Sequence, residues 1–181
     1  IAYGELGLWD LLALGRLAPL LPVIEQAAAT YSVPVPDLIQ VFMNESLFDP
    51  LAHGPTGDLG LSQLTSDALT LLAAASADPR SPIYNPGLIG PDSNVFDPVF
   101  SACAGAAKLA WAWDQPRVKN LGHAYALYIN PVHGFVNGRV GELWVPLVSQ
   151  MLSLEPNVQR LAAVYAQYDR DPALLPEFER R

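Results

Sequence analysis

The apolar residues of the chain recur at a helical spacing, and prolines and glycines divide them into segments. Apolar side chains three or four positions apart predict helices, and no alternating run is long enough to predict a strand. Proline suits the first helical turn, and Thr, Ser or Asp cap it. The predicted helices span residues 22–31, 36–45, 67–75, 98–113, 121–128, 143–154 and 156–168. The sequence therefore predicts an all-α, mostly helical fold.

One long segment between the predicted helices has no periodic pattern. Residues 76–97 are rich in Pro, Gly, Asn and Ser, and they predict a single loop. Loops of this length in compact domains usually have a function or are mobile. With Tyr84 and Asn85, it is either a cleft wall or lid, or a surface excursion. Because the 181 residues contain no repeat or linker, we predict one domain over residues 1–181.

The composition restricts the classes of function. Apolar residues make up 51% of the chain and charged residues 15%, which is too apolar for a disordered protein. The most apolar stretch, residues 6–24, contains Asp10, Arg16 and two prolines, so it predicts no transmembrane segment. The net charge of −8 argues against nucleic acid as a partner, because its backbone is bound by Lys and Arg.

Cysteine and histidine give no indication of a metal or redox site. Cys103 is the only cysteine, which excludes an internal disulfide, and its small-residue helix favours a buried structural thiol. His53, His123 and His133 lack the spacing of zinc ligands. The sequence also contains no phosphate-binding Gly-Lys-Ser/Thr loop and no Gly-x-Ser-x-Gly motif. We therefore expect neither a metal nor another cofactor.

One acidic residue lies at the end of an apolar stripe. The apolar side chains of helix 36–45 share one face, and the same spacing leads to Glu45 and then to Phe48. A carboxyl group in such a place is partly desolvated, which raises its pKa and keeps it protonated near neutral pH. The alternative is a glutamate at a helix end whose side chain turns to solvent.

A turn-rich passage follows this helix. It contains Gly54 and Gly57 and ends in residues 60–63 (Gly-Leu-Ser-Gln). Glycines allow the backbone to approach a ligand closely. The other interpretation is an ordinary loop between two helices.

Two sequence blocks in this region carry a family resemblance. Residues 45–52 read Glu-Ser-Leu-Phe-Asp-Pro-Leu-Ala, and residues 57–63 read Gly-Asp-Leu-Gly-Leu-Ser-Gln. The chain resembles the soluble lytic transglycosylases of the lysozyme superfamily, a group related to goose-type lysozymes. Their pattern is E-S-x-F-N-P-x-A followed by G-A-x-G-L-M-Q at the same spacing.

Shorter blocks extend the resemblance on both sides. Residues 31–33 (Tyr-Ser-Val) stand where the family has the Tyr-Gly-Val start of its catalytic helix. Residues 97–109 resemble the D-P-x-x-N-I-x-A-G-x-x-Y-L helix, with Ser101 for Asn and Lys108 for Tyr. The last motif, A-Y-N-A-G, is degraded: Tyr128 is kept, and the Asn moves by one position to 130. The resemblance covers about residues 25–136, leaving extra helices at 1–24 and 137–181.

The resemblance implies a lysozyme-like catalytic domain that cleaves peptidoglycan. The bond is the β-1,4 linkage between N-acetylmuramic acid (MurNAc) and N-acetylglucosamine (GlcNAc). Glu45 would protonate the departing glycosidic oxygen and then act as base on the C6 hydroxyl of the muramic residue. That hydroxyl attacks C1 and leaves a 1,6-anhydro end. Because the nucleophile belongs to the sugar, one carboxyl group suffices.

The resemblance also implies a set of substrate-binding residues around Glu45. The backbone of residues 60–63 and the Gln63 side chain would line the cleft, with Ser62 replacing the usual Met in its wall. The Tyr128 hydroxyl would lie by the catalytic carboxyl. A backbone-bonded Ser46 and a core Tyr128 are the local alternatives. The implied set is Ser46, Asp58, Gly60, Leu61, Ser62, Gln63, Tyr128 and Asn130.

Two other functions remain open at this point. Asp58 stands where most soluble family members have Ala, and a second carboxylate would permit a muramidase that uses water. An Asp before a glycine turn also commonly bonds its own backbone. The changes at Ser62, Ser101 and Ile129 leave open a weakly active domain that binds glycan or scaffolds an envelope machine.

Peptidoglycan glycan strands are the expected partner. This substrate places the protein in the extracytoplasmic envelope, as a periplasmic or secreted protein, or in a phage virion. The charge of −8 does not draw it to an anionic wall, so we expect targeting by an envelope-complex or phage-particle partner, or by a removed anchor. No signal peptide is visible. Because the sequence begins at Ile1 without Met, it is compatible with a removed leader or further sequence, and this end does not indicate the compartment.

Overall fold

The computed structural model of the protein describes residues 8–129, and these residues form helices joined by loops. The helices are α1 (Leu8–Thr30), α2 (Val35–Ser46), α3 (Ser66–Ala77), α4 (Pro98–Trp113) and α5 (Leu121–Ile129). Between residues 8 and 129 the chain forms only isolated β-bridges and no strand, which confirms the all-α prediction. The helices predicted at 143–154 and 156–168, the expected extra helices at 137–181, and Asn130 lie outside the described residues.

Local capping explains where most helices begin. Thr65 Oγ1 accepts a 3.1 Å hydrogen bond from the Ala68 N–H at the start of α3, and Asp97 Oδ1 accepts one of 2.8 Å from the Phe100 N–H at the start of α4. Proline occupies the first turn of both α2 and α4. Because these signals are local, the predicted bounds of α2 to α5 agree with the observed ones within two residues.

The predicted start of the first helix is wrong. Pro22 was expected to begin a helix, yet α1 begins at Leu8 and contains both Pro19 and Pro22. Each proline removes one hydrogen bond from the helix. Both prolines are exposed, so water can reach the carbonyl groups that lose their partners. The opposite face, with Leu17 and Ile24, is buried. Burial of that face therefore outweighs the local break.

Helix α4 lies at the centre of the packing, because α1, α2, α3 and α5 all contact it. Its buried residues are mostly alanines, which allow the other helices to approach closely. At Gly105 an added Cβ would lie 2.7 Å from Phe42 Cε1 and from Ser62 Cβ, so α2 and the following loop touch the α4 backbone. The end of α2 is thereby fixed against a rigid centre.

Candidate active site

A cleft of about 580 Å³ opens where the end of α2 meets α3 and α4. This volume is typical of sites for small molecules or short stretches of polymer. Its apolar side is formed by Ala68, Leu71 and Ile129. Its polar lining consists of Glu45, Thr56, Asp58, Gln63, Thr65, Asp67 and Lys108. The structure therefore brings Glu45, Asp58 and Gln63 together, as the resemblance implies.

The backbone turns sharply directly after Glu45. Leu47 and Phe48 have φ angles of 50° and 60°, a left-handed conformation that costs about 1 kcal/mol or more per non-glycine residue. Phe48 is fully buried, which holds the turn from within. From α1, Arg16 Nη1 donates to the Leu47 carbonyl at 3.3 Å, and Nη2 lies 3.4 Å from Asp49 Oδ2. Burial and one arginine thus fix the end of α2.

The carboxyl group of Glu45 lies in surroundings that favour its protonated form. Burial is the largest effect and raises its pKa; the nearby Asp58 carboxylate raises the pKa further. A hydrogen bond donated by the Tyr125 hydroxyl to Glu45 Oε1, and the Lys108 ammonium, act in the opposite direction. The net pKa is raised. The position of Glu45 in the last turn of α2 also raises its pKa, because a helix C-terminus disfavours a negative charge.

Lys108 is a buried cation in the cleft wall. Its side chain is only 4% exposed, and its Nζ atom lies 4.2 Å from the centroid of the Tyr128 ring. Burial lowers the pKa of Lys108 to about 8, although the Glu45 and Asp58 carboxylates oppose this shift. At neutral pH the side chain is therefore charged, and a positive charge faces the two carboxyl groups.

The turn that carries Asp58 and Gln63 is held by its own backbone. The Gly54 N–H donates to the Asp58 carbonyl at 2.7 Å, and the Gly60 N–H donates to the Ala52 carbonyl at 2.9 Å. Gly60 has a φ of 74°, and a Cβ there would collide with the Val95 carbonyl, so only glycine fits. Gln63 Nε2 donates to the Gly60 carbonyl at 2.9 Å. The turn is therefore rigid before any ligand arrives.

Several of the expected substrate-binding residues lie beneath the cleft, not in it. We call Ser46, Leu61, Ser62, Ser101 and Tyr128 the buried layer. Ser46 Oγ donates to the Leu61 carbonyl at 2.7 Å, and Ser62 Oγ donates to the Ser101 carbonyl at 2.6 Å. The Tyr128 hydroxyl donates to the Ser62 carbonyl at 2.7 Å. These bonds connect α2, the turn, α4 and α5 below the site.

The structure therefore corrects several expected positions. Tyr128 is fully buried, and its hydroxyl donates its hydrogen bond to the Ser62 carbonyl and not to Glu45. Ser62 is fully buried as well, so its side chain is not part of a cleft wall. Ser46, Gly60 and Leu61 support the cleft from behind and do not line it. Of the expected binding residues that the structure describes, only Asp58 and Gln63 line the cleft; Asn130 lies outside the described residues.

The phenol beside the carboxyl group belongs to Tyr125, which the sequence analysis missed. The sequence contained an indication of this residue, because Ala124 and Tyr125 match the first two positions of the A-Y-N-A-G motif. The motif was aligned on the Asn at position 130, and this alignment selected Tyr128 in place of Tyr125. The α5 helix brings both rings to the same region, with their centroids 6.2 Å apart. Lys108 was noticed only as a change from Tyr, and its place in the cleft was not foreseen.

A second groove of about 590 Å³ adjoins the cleft, and Thr56 and Thr65 line both. Its far side is formed by residues 93–96, the last part of the long loop, where the Phe96 ring contacts His53 with centroids 5.1 Å apart. The loop thus forms one wall of a surface continuous with the cleft. Tyr84 is exposed elsewhere, and Asn85 Nδ2 instead donates to the Tyr31 hydroxyl at 3.3 Å.

Other candidate side chains do not line the cleft. Trp111 and Trp113 are half-buried against the core. Cys103 is also half-buried, and burial raises the pKa of its thiol, which makes it less reactive. Among the described residues, no three His, Cys, Asp or Glu side chains group as metal ligands would. In the same part of the chain, no helix has the length and apolarity needed to cross a membrane.

Comparison with known proteins identifies the family. The family model for the transglycosylase SLT domain matches residues 22–130, which is more than half of the chain. The match includes α2 to α5, the turn between α2 and α3, and every residue named above as lining the cleft. No curated protein matches the chain significantly. The lysozyme-like helical fold is confirmed, and the chain belongs to the transglycosylase SLT domain family.

Proposed function

We propose that this protein is a peptidoglycan lytic transglycosylase that cleaves the MurNAc-β-1,4-GlcNAc bond and leaves 1,6-anhydromuramyl ends. Membership of the SLT family supports peptidoglycan as the substrate class. One observation carries the proposal: the raised pKa of Glu45 in the cleft, with the Tyr125 hydroxyl on one carboxyl oxygen. A protonated carboxyl group at neutral pH is what a general acid for glycosidic cleavage requires.

In the first step Glu45 acts as the acid. Because Tyr125 donates to Oε1, the proton of the neutral carboxyl group belongs on Oε2. Oε2–H protonates the glycosidic oxygen, the bond from that oxygen to C1 of the muramic residue breaks, and its electron pair leaves with the oxygen. The positive charge that develops at C1 is stabilised by the new Glu45 carboxylate and by Asp58 across the same cleft.

In the second step the Glu45 carboxylate acts as the base. It removes the proton of the C6 hydroxyl of the same muramic residue while the oxygen attacks C1. Glu45 is thereby returned to its protonated form, and no water is consumed. An internal nucleophile needs only to be held in place, which the rigid turn around Gly60 and Gln63 favours.

The polar groups around Glu45 are suited to an N-acetylated sugar. The side-chain oxygens of Gln63 and Asp58 converge over Gly54, where an added Cβ would lie 2.5 and 2.7 Å from them. We assign to this pair the binding of amide N–H and hydroxyl groups of the sugar. The adjoining groove past Thr56 and Thr65 offers room for further sugars of the strand.

A second candidate function is a muramidase, which would hydrolyse the same bond with water. The observation that favours it is Asp58, a second carboxylate that lines the same cleft as Glu45. Thr56 Oγ1 donates to Asp58 Oδ2, which orients that carboxylate. In this mechanism Asp58 would act as the nucleophile or would activate a water molecule.

The buried layer argues against a weakly active scaffold. The changes at Ser62, Ser101 and Ile129 were the reasons for that alternative. Ile129 lines the cleft, whereas Ser62 and Ser101 bond each other. They therefore form a matched pair beneath the cleft, and Glu45 and Tyr125 are unaffected by them. A peptidoglycan substrate implies an extracytoplasmic or virion location and a targeting partner.

The test is digestion of purified peptidoglycan, with the released muropeptides analysed by mass spectrometry. Transglycosylation predicts anhydromuramyl ends, and hydrolysis predicts reducing ends that are heavier by one water. Glu45→Gln removes the acid while keeping the shape of the side chain. Glu25→Gln, at an exposed position on α1, is the matched control. Full activity of Glu45→Gln would overturn the proposal.

A further inference from the structure

The most unusual group in the cleft is a lysine without an obvious structural need. Lys108 is the only charged residue of α4, and it lies among alanines near the centre of the fold. Burying a lone ammonium costs several kcal/mol unless opposite charges compensate it. An apolar side chain of similar size would avoid that cost. A role connected with the charge itself is therefore the simplest physical reason for this lysine.

We propose that Lys108 is a positioning residue for the reaction: its ammonium, held in the cleft wall, stabilises the carboxylate that Glu45 becomes after it has given up its proton. This inference rests on the proposed function and deepens it. Lys108 acts through Glu45 and not on the sugar. It strengthens Glu45 as an acid, because the product of proton transfer is better stabilised than the starting carboxyl group.

The geometry gives the ammonium a fixed place. Its Nζ atom lies over the face of the Tyr128 ring, at 4.2 Å from the centroid, and this ring is held by its full burial. Lys108 and Glu45 line the same cleft. Between residues 8 and 129, however, no ion pair closer than 4 Å joins them. The charge therefore acts on Glu45 without a direct ion pair and does not lock Glu45 in its ionised form at rest.

The titratable groups that line the cleft with this ammonium, or adjoin its wall, come from several elements. Glu45 on α2, Asp58 on the turn and Asp67 on α3 supply carboxyl groups. Tyr125 and Tyr128 on α5 supply phenols, whose pKa values are raised by burial, so they are neutral. None of the described residues of α1, which also contacts α4, lines the cleft.

These surroundings define a pH range for the effect. With a pKa of about 8, Lys108 is charged at neutral pH and loses its charge in mildly basic solution. Its positive charge lowers the pKa of Glu45, against the larger effect of burial. Removing the charge therefore raises the pKa of Glu45 and makes Glu45 a weaker acid.

The experiment compares Lys108→Met and Lys108→Arg with the wild type. Lys119→Met is the matched control, because Lys119 is the only other lysine of the chain and is exposed. Initial rates of muropeptide release are measured as a function of pH. For Lys108→Met we expect kcat to fall about tenfold, an electrostatic effect of roughly one charge pair, and the basic limb to move to higher pH. Lys108→Arg keeps the charge and should recover most of the rate, and Lys119→Met should match the wild type.

A second measurement does not depend on activity. The ¹³C resonance of the Glu45 carboxyl carbon, assigned by its absence in Glu45→Gln, is titrated in the wild type and in Lys108→Met. The inference predicts a higher pKa for Glu45 in Lys108→Met, and an unchanged pKa overturns it. If Lys108→Met does not fold, Lys108→Gln takes its place in both measurements.

The two proposals fail in different ways. A wild type that releases no muropeptides overturns the proposed function, whatever the titration shows. A wild type that is active, together with a Lys108→Met variant whose kcat and basic limb are unchanged, overturns only the role of Lys108. If Lys108→Met changes only the unfolding midpoint, the role of Lys108 is likewise overturned, since a purely structural lysine would affect stability and not the basic limb of the pH–rate profile.

Discussion

The cleft and the buried layer beneath it are built from the same short motifs and differ in almost every physical respect. In the cleft, Glu45 and Lys108 have pKa values shifted by burial and face space that a ligand can enter. In the buried layer, Ser62 and Tyr128 are fully buried, and their polar groups bond other parts of the protein. A motif residue is therefore not automatically a binding residue.

Within one motif, some residues line the cleft and others support it from below. Along the turn, Asp58 and Gln63 line the cleft, while Leu61 and Ser62, between them, are fully buried below it. The polar groups of the buried layer are satisfied by other protein groups, so they hold the cleft residues in place without using the ligand. The following predictions change one region and ask whether the other is affected.

The largest effect is expected from the acid itself. Glu45→Gln should lower the rate of muropeptide release by about a thousandfold, since a general acid contributes on the order of 10²–10⁴. The hydrogen bonds of the buried layer do not involve its carboxyl group, so the unfolding midpoint should not fall. Rates on purified peptidoglycan and thermal unfolding by circular dichroism check both. A large loss of stability would show that the two regions are not separable.

Tyr128→Phe addresses the buried layer. Removing its hydroxyl leaves the buried Ser62 carbonyl without that donor, which should lower the free energy of unfolding by about 2 kcal/mol. The rate per folded molecule should change less than twofold at a temperature where the protein is folded. Urea unfolding and activity assays on the same sample measure both quantities. A loss of rate without a loss of stability would contradict this assignment.

Tyr125→Phe is the matched change beside the Glu45 carboxyl group, three residues from Tyr128 on the same helix. It removes the hydroxyl that bonds Glu45 Oε1, so the pKa of Glu45 should rise and kcat should fall about tenfold. The basic limb of the pH–rate profile should move to higher pH, and stability should change little. The opposite result, with Tyr128→Phe as the catalytic variant, would restore the assignment made from sequence.

Arg16→Met addresses the turn that follows Glu45. Arg16 lies before residue 22, outside the segment matched by the family model, yet it holds the left-handed turn at Leu47 and Asp49. Losing these bonds should cost about 1 kcal/mol of unfolding free energy and lower the rate a few-fold. A lysine makes these two contacts less well than an arginine, so Arg16→Lys should have a stability and a rate between those of the wild type and Arg16→Met. Equal rates in all three proteins would show that the turn needs no support from α1.

The smallest effect concerns stability as a function of pH. The pKa of Glu45 is raised in the folded state, so its folded form binds a proton more tightly than the unfolded chain does. The resulting stability is present in acid and is lost as pH rises through the raised pKa. Glu45→Gln removes this dependence, so its stability relative to wild type should increase with pH. Thermal unfolding of both proteins over a pH series measures the trend, and a constant difference would contradict it.

The sequence predicted the helices from α2 to α5 because their ends depend on local signals. Thr65 and Asp97 cap them, and prolines occupy first turns. It failed at α1, where long-range burial of one face overrides Pro19 and Pro22. Capping residues and first-turn prolines can be recognised in a single sequence. Whether burial of a helix face outweighs a lost hydrogen bond depends on the tertiary structure and cannot be recognised there.

The candidate site was predictable for the same reason at Glu45, whose place on an apolar stripe implied burial. The positions of Ser62 and Tyr128 depended on which side of a turn and of a helix faces the cleft. Within a motif, spacing alone does not decide this, because the turn is shaped by left-handed residues such as Gly60 and Gln63. Lys108 was missed because a buried charge on an alanine-rich helix has no pattern that marks it.

The most direct test of the central claim is digestion of peptidoglycan in water labelled with heavy oxygen. If Glu45 passes the proton and the muramic C6 hydroxyl is the nucleophile, the new ends are anhydromuramyl and contain no label. The Glu45→Gln variant then releases almost nothing. Reducing ends that contain the label, or the same products from Glu45→Gln, would contradict the account.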